Sequence, residues 1–233
     1  MVDIKTYRNE WKYRCGEADL AKIEALVENV MERDENSDGP YTIHSLYFDD
    51  IFDTCAVDTS AGLFKRFKYR IRFYGDSPDK LFLERKEKLE GRCHKKRCFL
   101  TEDEYESIME GDFDKLLWST DKELLKQFCV HSMKRCFSPK AIICYERSAY
   151  AEPITNVRIT FDRNISASGE VSRFRDMDYM RVPILPENEH LLEVKFDYIL
   201  SSTYRHLISD ECLTQTSFSK YYLGRQRIDF QKR

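Results

Sequence analysis

The sequence predicts an α+β fold, in which an eight-stranded antiparallel β-barrel carries flanking helices, as one domain spanning residues 1–233. Three observations support this. Apolar and charged residues alternate in several segments of strand length, helical segments interrupt them without a regular βαβ rhythm, and no linker-like stretch divides the chain. The 233 residues, 42% of them hydrophobic, suffice for a buried core and exclude a disordered chain.

Two periodicities place the elements along the chain. Alternation predicts strands at residues 5–13, 41–49, 64–74, 80–88, 91–99, 140–150, 156–164 and 190–197. Helical spacing predicts helices at residues 17–33, from 101 onward, at 121–136 and at 201–209. The helix from residue 101 begins with a capping box, because Thr101 is followed three residues later by Glu104.

Positive charge is concentrated in one part of the chain. The net charge is −3, yet residues 62–100 contain thirteen Lys and Arg against five Asp and Glu. A protein that binds nucleic acid is usually basic overall, so nucleic acid is not expected as a partner. Cations gathered in particular strands instead predict a pocket for a small polyanion.

The segment KRFKYRIRF, residues 65–73, shows the charge pattern most clearly. Successive side chains of a strand point to opposite faces, so Arg66, Lys68, Arg70 and Arg72 share one face, and the other face is apolar. One interpretation is a solvated outer face with cross-strand ion pairs. The other is a closed barrel whose charged face points inward as a basic tunnel. We favour the tunnel, because an unbroken row of like charges requires a compensating anion.

Such a tunnel suits a phosphate chain. Lys and Arg bind phosphate oxygens, Arg in a bidentate way, and a carboxylate can hold Mg²⁺ or Mn²⁺ that bridges those oxygens. The pattern Glu-x-Lys supplies carboxylates beside lysines in three separate strands, at Glu10-x-Lys12, Glu84-x-Lys86 and Glu193-x-Lys195.

Nine segments, in order, cover nearly the whole chain and resemble a known family. They are RNEWKY at 8–13, SLYFD at 45–49, KYRIR at 68–72, LERK at 83–86, KKR at 95–97, YERSAY at 145–150, VRITFD at 157–162, LEVK at 192–195 and SFSKY at 217–221. The set resembles the polyphosphate polymerase domain of the VTC (vacuolar transporter chaperone) family, of the triphosphate tunnel superfamily, in a stand-alone bacterial type. The resemblance implies the triphosphate tunnel fold and transfer of the γ-phosphate of ATP to a growing inorganic polyphosphate chain.

The resemblance also implies the site residues. Those with catalytic roles would be Lys12, Arg70, Arg72, Arg147 and Lys220. Those that bind substrate would be Lys68, Lys86, Lys95, Arg97, Tyr145, Arg158 and Ser219. Glu193 would bind the metal, Mn²⁺ or Mg²⁺. The doubled Lys95-Lys96 leaves the register of that strand open. Purely structural roles stay open for Ser219 as a helix cap, Tyr145 as a core aromatic, and Glu193, Asp162 and Glu84 as ion-pair partners.

Two other functions remain alternatives, a triphosphatase of the CYTH type and a non-catalytic polyphosphate-binding module. CYTH hydrolases resemble this chain but begin with Glu-x-Glu-x-Lys, where this sequence has Arg8-x-Glu10-x-Lys12. The missing acid favours the polymerase over the hydrolase, and the carboxylate at Glu193 favours an enzyme over a pure anion binder. The chain has no Walker A or nucleophile-elbow motif, and its histidines form no recognisable catalytic group.

The remaining composition predicts a cytoplasmic protein. No apolar run approaches the roughly 20 residues that span a bilayer, and the first residues lack the apolar core of a signal peptide. The eight cysteines form no C-x-x-C pair, so we expect free thiols and no zinc site. The resemblance implies ATP and inorganic polyphosphate as the partners, and we expect no membrane segment in the chain.

Overall fold

The computed structural model describes residues 7–34, 39–208 and 213–231. Within these ranges, eleven strands form one antiparallel sheet that seven α-helices flank. The strands are β1 Asn9–Gly16, β2 Glu32–Arg33, β3 Tyr41–Asp49, β4 Lys65–Tyr74, β5 Leu81–Leu89, β6 Arg92–Leu100, β7 Ser138–Glu152, β8 Val157–Ser168, β9 Val182–Pro183, β10 Glu189–Phe196 and β11 Thr214–Gln215. The helices are α1 Glu17–Glu28, α2 Thr54–Ser60, α3 Glu102–Glu110, α4 Phe113–Ser119, α5 Glu123–Arg135, α6 Ser202–Ile208 and α7 Lys220–Gln231.

The strand order is β11-β1-β10-β8-β7-β3-β4-β5-β6, with β2 paired to β7 and β9 paired to β8. The prediction of an eight-stranded closed barrel is therefore wrong in two respects. The sheet has more than eight strands, and it does not close into a barrel: β11, paired with β1 at Tyr13 and Arg14, ends the strand order on one side and β6 ends it on the other. In the described residues, β1 and β6 meet at a single bridge, where the amides of Arg8 and Cys93 donate to each other's carbonyls at 2.9 and 2.8 Å.

The eight long strands match the eight predicted ones within a few residues, and the three additional strands are only two residues long. The predicted capping box is confirmed, since Thr101 Oγ1 and the Glu104 carboxylate exchange hydrogen bonds with each other's backbone amides. The first helix ends at Glu28 and not at residue 33, where β2 instead pairs with β7. The predictions for residues 5–6, residue 209 and the Cys212 thiol lie outside the described residues.

The apolar faces of the strands point away from the centre of the curved sheet and are covered by helices. Helices α1 and α6 pack with β1 and β10 over one core, which contains Leu20, Ile23 and Val194. Helix α5 contacts β5 and β6 over a second core, which contains Tyr69 and Phe128. Burial of these faces is the main stabilising contribution, and it leaves the charged faces of the same strands directed to the inside.

Candidate functional site: a basic cavity on the inner face of the sheet

The inner face of the sheet encloses a cavity of about 540 Å³ to which all eight long strands contribute side chains. Among the described residues, thirteen Lys and Arg line it, against two carboxylates. The cations are Arg8, Lys12, Arg66, Lys68, Arg70, Arg72, Lys86, Lys88, Lys95, Arg147, Arg158, Lys195 and Lys220. The carboxylates are Glu10 and Glu193. The strand alternation is what brings these charges together, so the expected inward direction of Lys68, Arg70 and Arg72 is confirmed.

The structure brings together twelve of the thirteen predicted site residues. Those that line the cavity are Lys12, Lys68, Arg70, Arg72, Lys86, Lys95, Tyr145, Arg147, Arg158, Glu193, Ser219 and Lys220. Arg97 is not among the lining residues; its side chain is exposed and its guanidinium lies 5.2 Å from the ring centre of Phe82. Of the two adjacent lysines in β6, Lys95 is the one that lines the cavity. Its ammonium lies 3.1 Å from Glu84.

Glu193, on β10, is surrounded by four cations. Its Oε1 lies 2.7 Å from Lys220 Nζ and 3.5 Å from Lys12 Nζ, and its Oε2 lies 3.3 Å from Lys195 Nζ. Arg147 is 3.7 Å from Oε2. Burial by itself would raise the pKa of this carboxyl, but the charges of Lys220, Lys12 and the other cations hold it well below its usual value. Glu193 is therefore ionised at neutral pH.

Lys220, the first residue of α7, is held at the back of the cavity. Its ammonium lies 2.6 Å from Asp162 and 4.8 Å from the ring centre of Tyr145. Burial opposes the charge on Lys220, but Asp162 and Glu193 outweigh it and raise the pKa of this lysine above its ordinary value. The position of Lys220 is thus fixed by three elements: β8, β10 and α7.

Arg147 and Asp162 form a bidentate ion pair across β7 and β8. Arg147 Nε and Nη2 donate to the two carboxylate oxygens of Asp162 at 2.6 and 2.7 Å. Asp162 is completely buried. This geometry agrees with the role of Asp162 as an ion-pair partner. The pair directs the guanidinium of Arg147 beside Tyr145, 5.2 Å from its ring centre.

Arg70 and Arg72, on β4, share the buried carboxylate of Glu84. Arg70 Nε donates to Glu84 at 2.8 Å, and Arg72 Nη1 is 3.7 Å away. Two phenol oxygens accept from the same guanidinium groups, Tyr47 from Arg70 at 2.7 Å and Tyr145 from Arg72 at 3.1 Å. These contacts use part of each guanidinium and fix both arginines in place, which is the geometry that preorganised phosphate binding requires.

Glu10 lies between three lysines: Lys12 on its own strand, Lys195 on β10 and Lys86 on β5. Lys86 donates to both of its carboxylate oxygens at 2.8 Å, and Lys12 and Lys195 are each 3.7 Å away. Burial would raise the pKa of Glu10, but Lys12 and Lys86 hold it well below the usual value. Because Lys86 belongs to β5 and Glu10 to β1, this pair crosses the gap where the sheet fails to close.

Two lysines of the cavity lose much of their basicity. Burial, together with the charges of Lys12 and Lys86, lowers the pKa of Lys68 to about 7. Burial likewise lowers the pKa of Lys195 to about 7, although Glu193 and Glu10 oppose the change. Lys68 donates to Ser219 Oγ at 2.9 Å, and the same oxygen accepts from the amide of Tyr222 at 3.2 Å. Ser219 is therefore both the cap of α7 and a cavity residue.

Sequence reasoning missed several cavity residues. Lys195 and Glu10 were recognised as parts of Glu-x-Lys patterns but not assigned to the site; they share strand faces with Glu193 and Lys12, so the alternation could have selected them. Tyr47 was missed because a tyrosine between apolar residues resembles a core residue, and its hydroxyl contact with Arg70 depends on the pairing of β3 with β4.

The carboxylates of the cavity fit a divalent cation only if phosphate oxygens of the substrate supply further ligands. No group of three or more His, Cys, Asp or Glu that could hold a metal ion exists among the described residues. Glu10 and Glu193 are, however, bridged by the ammonium groups of Lys12 and Lys195 and so lie close together. Mg²⁺ is commonly bound by one or two carboxylates plus phosphate oxygens, and this pair meets that requirement.

The fold and cavity are those of an α+β protein whose antiparallel sheet encloses a strongly basic cavity. The family model of the VTC domain matches residues 7–228, and the chain belongs to this family. The resemblance found in the sequence is therefore confirmed. In the part of the chain that the structure describes, no helix is both long and apolar enough to cross a membrane.

Comparison with solved structures gives distant likenesses. The PH1819 protein of Pyrococcus horikoshii is 12% identical, with a TM-score of 0.46, over 96% of this chain and 99% of that one. The PH1012 protein of the same organism is 13% identical, with a TM-score of 0.47, over 93% and 98%. The capping enzyme triphosphatase of Mimivirus is 9% identical, with a TM-score of 0.36, over 85% and 86%. No curated protein sequence matches significantly.

Proposed function

We propose that this protein is an ATP-dependent polyphosphate polymerase. The observation that carries the proposal is the set of thirteen cations around one cavity with only two carboxylates, within a VTC domain. In the reaction, the bond between the γ-phosphorus of ATP and its β–γ bridging oxygen breaks. A terminal oxygen of the polyphosphate chain bonds to the same phosphorus, and ADP leaves. The acceptor is already an anion, so the reaction requires no general base.

The protein residues act by positioning and by charge. Arg70 and Arg72, fixed by Glu84 and two phenols, would bind oxygens of the transferred phosphoryl group. Lys220, fixed by Asp162 and Glu193, would offset charge on the leaving oxygen. Glu193 and Glu10 would hold Mg²⁺ or Mn²⁺ against phosphate oxygens, and a bound divalent ion supplies further charge stabilisation.

A triphosphatase is the second candidate, and Glu10 is the observation that favours it. This carboxylate lies inside the cavity beside Glu193, where a hydrolase would place an acid to orient water. At the position of the first acid in CYTH hydrolases stands Arg8, whose Nε lies 3.1 Å from Asp197 at the edge of the cavity. The exchange of an acid for a cation at this position favours the polymerase.

One experiment separates the candidates. The purified protein is incubated with ATP and Mn²⁺, and the products are examined on a gel stained for anionic polymers and in a free-phosphate assay. A polymerase yields long polymer with little free phosphate. Phosphate release without polymer identifies a triphosphatase instead. Binding of polyphosphate without either product identifies a non-catalytic module, and no binding at all overturns all three.

A further inference from the structure

The two ends of the cavity differ in chemistry. One end is lined by two tyrosines, Tyr41 of β3 and Tyr74 of β4, whose ring centres are 6.0 Å apart at an interplanar angle of 57°. Both side chains are partly exposed. Three other tyrosines that line the cavity, Tyr47, Tyr145 and Tyr221, are almost completely buried. Tyr41 and Tyr74, which we call the tyrosine end, therefore offer aromatic surface to a ligand.

The opposite end is cationic. Arg66 and Lys68 lie on β4 at six to eight residues from Tyr74, which at roughly 3.3 Å per residue is about 20–26 Å along the strand. Lys88 and Lys12 line the same region, and Lys12 Nζ donates to the carbonyl of Phe218 at 2.8 Å. We call these four residues the lysine end. Their charges suit an inorganic phosphate chain, which has no need of an aromatic surface.

Cations border the tyrosine end closely. The guanidinium of Arg72 lies 5.9 Å from the ring centre of Tyr74, and Arg147 is the direct strand partner of Tyr41. Burial raises the pKa of Tyr41, while the charges of Arg147 and Arg158 oppose the rise. Aromatic rings next to several guanidinium groups combine the two features that a nucleotide needs: a stacking surface for the base and cations for the phosphates.

We propose that the tyrosine end is a nucleobase subsite that gives the cavity a direction. The base of a nucleoside triphosphate stacks on Tyr41 and Tyr74, its phosphates extend past Arg147 and Arg72 to Arg70, and the inorganic chain occupies the lysine end. The inference rests on the proposed function, because it assigns the two substrates of that reaction to opposite ends of one cavity. The cavity volume of about 540 Å³ lies within the usual range of small-molecule sites.

The test compares ATP with inorganic tripolyphosphate, which has the phosphates but no base. Binding is measured by calorimetry with EDTA present, so that no turnover occurs. Base stacking on an aromatic residue contributes about 1–3 kcal/mol, so Tyr41→Leu should weaken ATP binding about 5-fold to 100-fold. Tripolyphosphate binding should stay within about twofold of the unchanged protein. Tyr41→Phe keeps the aromatic ring, so this variant should bind ATP about as tightly as the unchanged protein does.

The matched control is Tyr13→Leu, because Tyr13 lies on β1 outside the cavity lining and packs against the core under α1. Thermal unfolding confirms that each variant is folded. Equal losses for ATP and tripolyphosphate in Tyr41→Leu, or no loss for either, would overturn the subsite while leaving the proposed function intact. If the unchanged protein binds neither ATP nor tripolyphosphate, the proposed function is overturned, and the subsite with it.

Discussion

At the scale of single residues, Glu193 shows how the surroundings decide the role of a carboxylate. Four cations within 3.7 Å keep it ionised, although the site is buried. The same four cations offset the charge of Glu193 in the free protein. For the proposed polymerase, we propose that this carboxylate also binds a divalent metal together with the phosphate substrate.

We expect Glu193→Gln to lower polymer synthesis by at least about 100-fold, because loss of the metal removes several kcal/mol of charge stabilisation. Tripolyphosphate binding without metal should be unchanged or tighter, since an anion has been removed among cations. Gel analysis with calorimetry measures both. The matched control is Glu189→Gln, which removes a partly exposed carboxylate from the same strand. Near-normal synthesis in Glu193→Gln would transfer the metal role to Glu10.

The lowered basicity of Lys68 predicts uptake of protons on ligand binding. With a pKa of about 7 in the free protein, Lys68 is mostly neutral at about pH 8, and a bound polyanion raises that pKa and so protonates the lysine. Calorimetry in two buffers of different ionisation enthalpy, at about pH 8, measures the protons taken up with tripolyphosphate. Lys68→Gln should reduce the uptake. Lys65→Gln, an exposed change on the same strand, should not.

Affinity for tripolyphosphate should accordingly fall as the pH rises through about 7, where Lys68 and Lys195 lose their charge. The fall should be shallower in Lys68→Gln. An identical pH profile and identical proton uptake in the variant and the unchanged protein would contradict the proposed titration of Lys68.

At the scale of elements, helix α7 packs on the face of the sheet that carries the cavity, where Tyr221 lies against Tyr47. Its first turn carries Lys220 into contact with Glu193, while Gly224, one turn later, packs against β7 and β8. A Cβ on Gly224 would lie 2.4 Å from Ile143 Cδ1, 3.1 Å from Ala167 Cβ and 3.3 Å from Ile184 Cδ1. The close approach of the helix to the sheet therefore depends on glycine, and the position of Lys220 depends on that approach.

Gly224→Ala should destabilise the protein by about 1–3 kcal/mol through overpacking, partly offset by the roughly 1 kcal/mol gain in helix propensity. Polymer synthesis should fall as well, because α7 moves outward and carries Lys220 away from Glu193. Urea unfolding and the gel assay measure the two effects. Adding Ile143→Val removes the clashing Cδ1 and should recover activity. If the double variant is no more active than Gly224→Ala, the clash is not the cause.

At the scale of the whole molecule, the protein is an apolar shell of helices around a charged interior. The outward faces of the strands supply the packing, and the inward faces gather thirteen cations that repel one another. Ion pairs with Glu10, Glu84, Asp162 and Glu193 offset part of this repulsion. An anionic ligand can offset the rest of the repulsion among the cations, so ligand binding and the stability of the folded protein are coupled.

Tripolyphosphate should therefore raise the thermal unfolding midpoint by several degrees at about 20 mM salt and by clearly less at about 500 mM. A sulfate buffer matched in ionic strength separates specific binding from a general salt effect. The Arg70→Ala variant should show a smaller rise at low salt, because one phosphate-binding cation is lost. A rise of the same size at both salt concentrations would contradict an electrostatic origin.

The eight long strands, the inward direction of their charged residues and the family could all be predicted from the sequence. This was possible because a two-residue period fixes the two faces of a strand, and one face of this sheet had to be apolar to be buried. Of the twelve predicted site residues that line the cavity, ten lie on these strands, and the other two, Ser219 and Lys220, lie at the start of α7.

How the sheet ends and which charges meet depend on the tertiary fold. β11 pairs with β1 at the edge of the sheet, and its two residues show no alternation long enough to be recognised. Arg97 shares a strand face with Lys95 but is exposed beside Phe82 and does not line the cavity, and the contacts of Lys220 depend on the docking of α7 against the sheet. These features arise from contacts between residues far apart in the chain, which a local pattern does not encode.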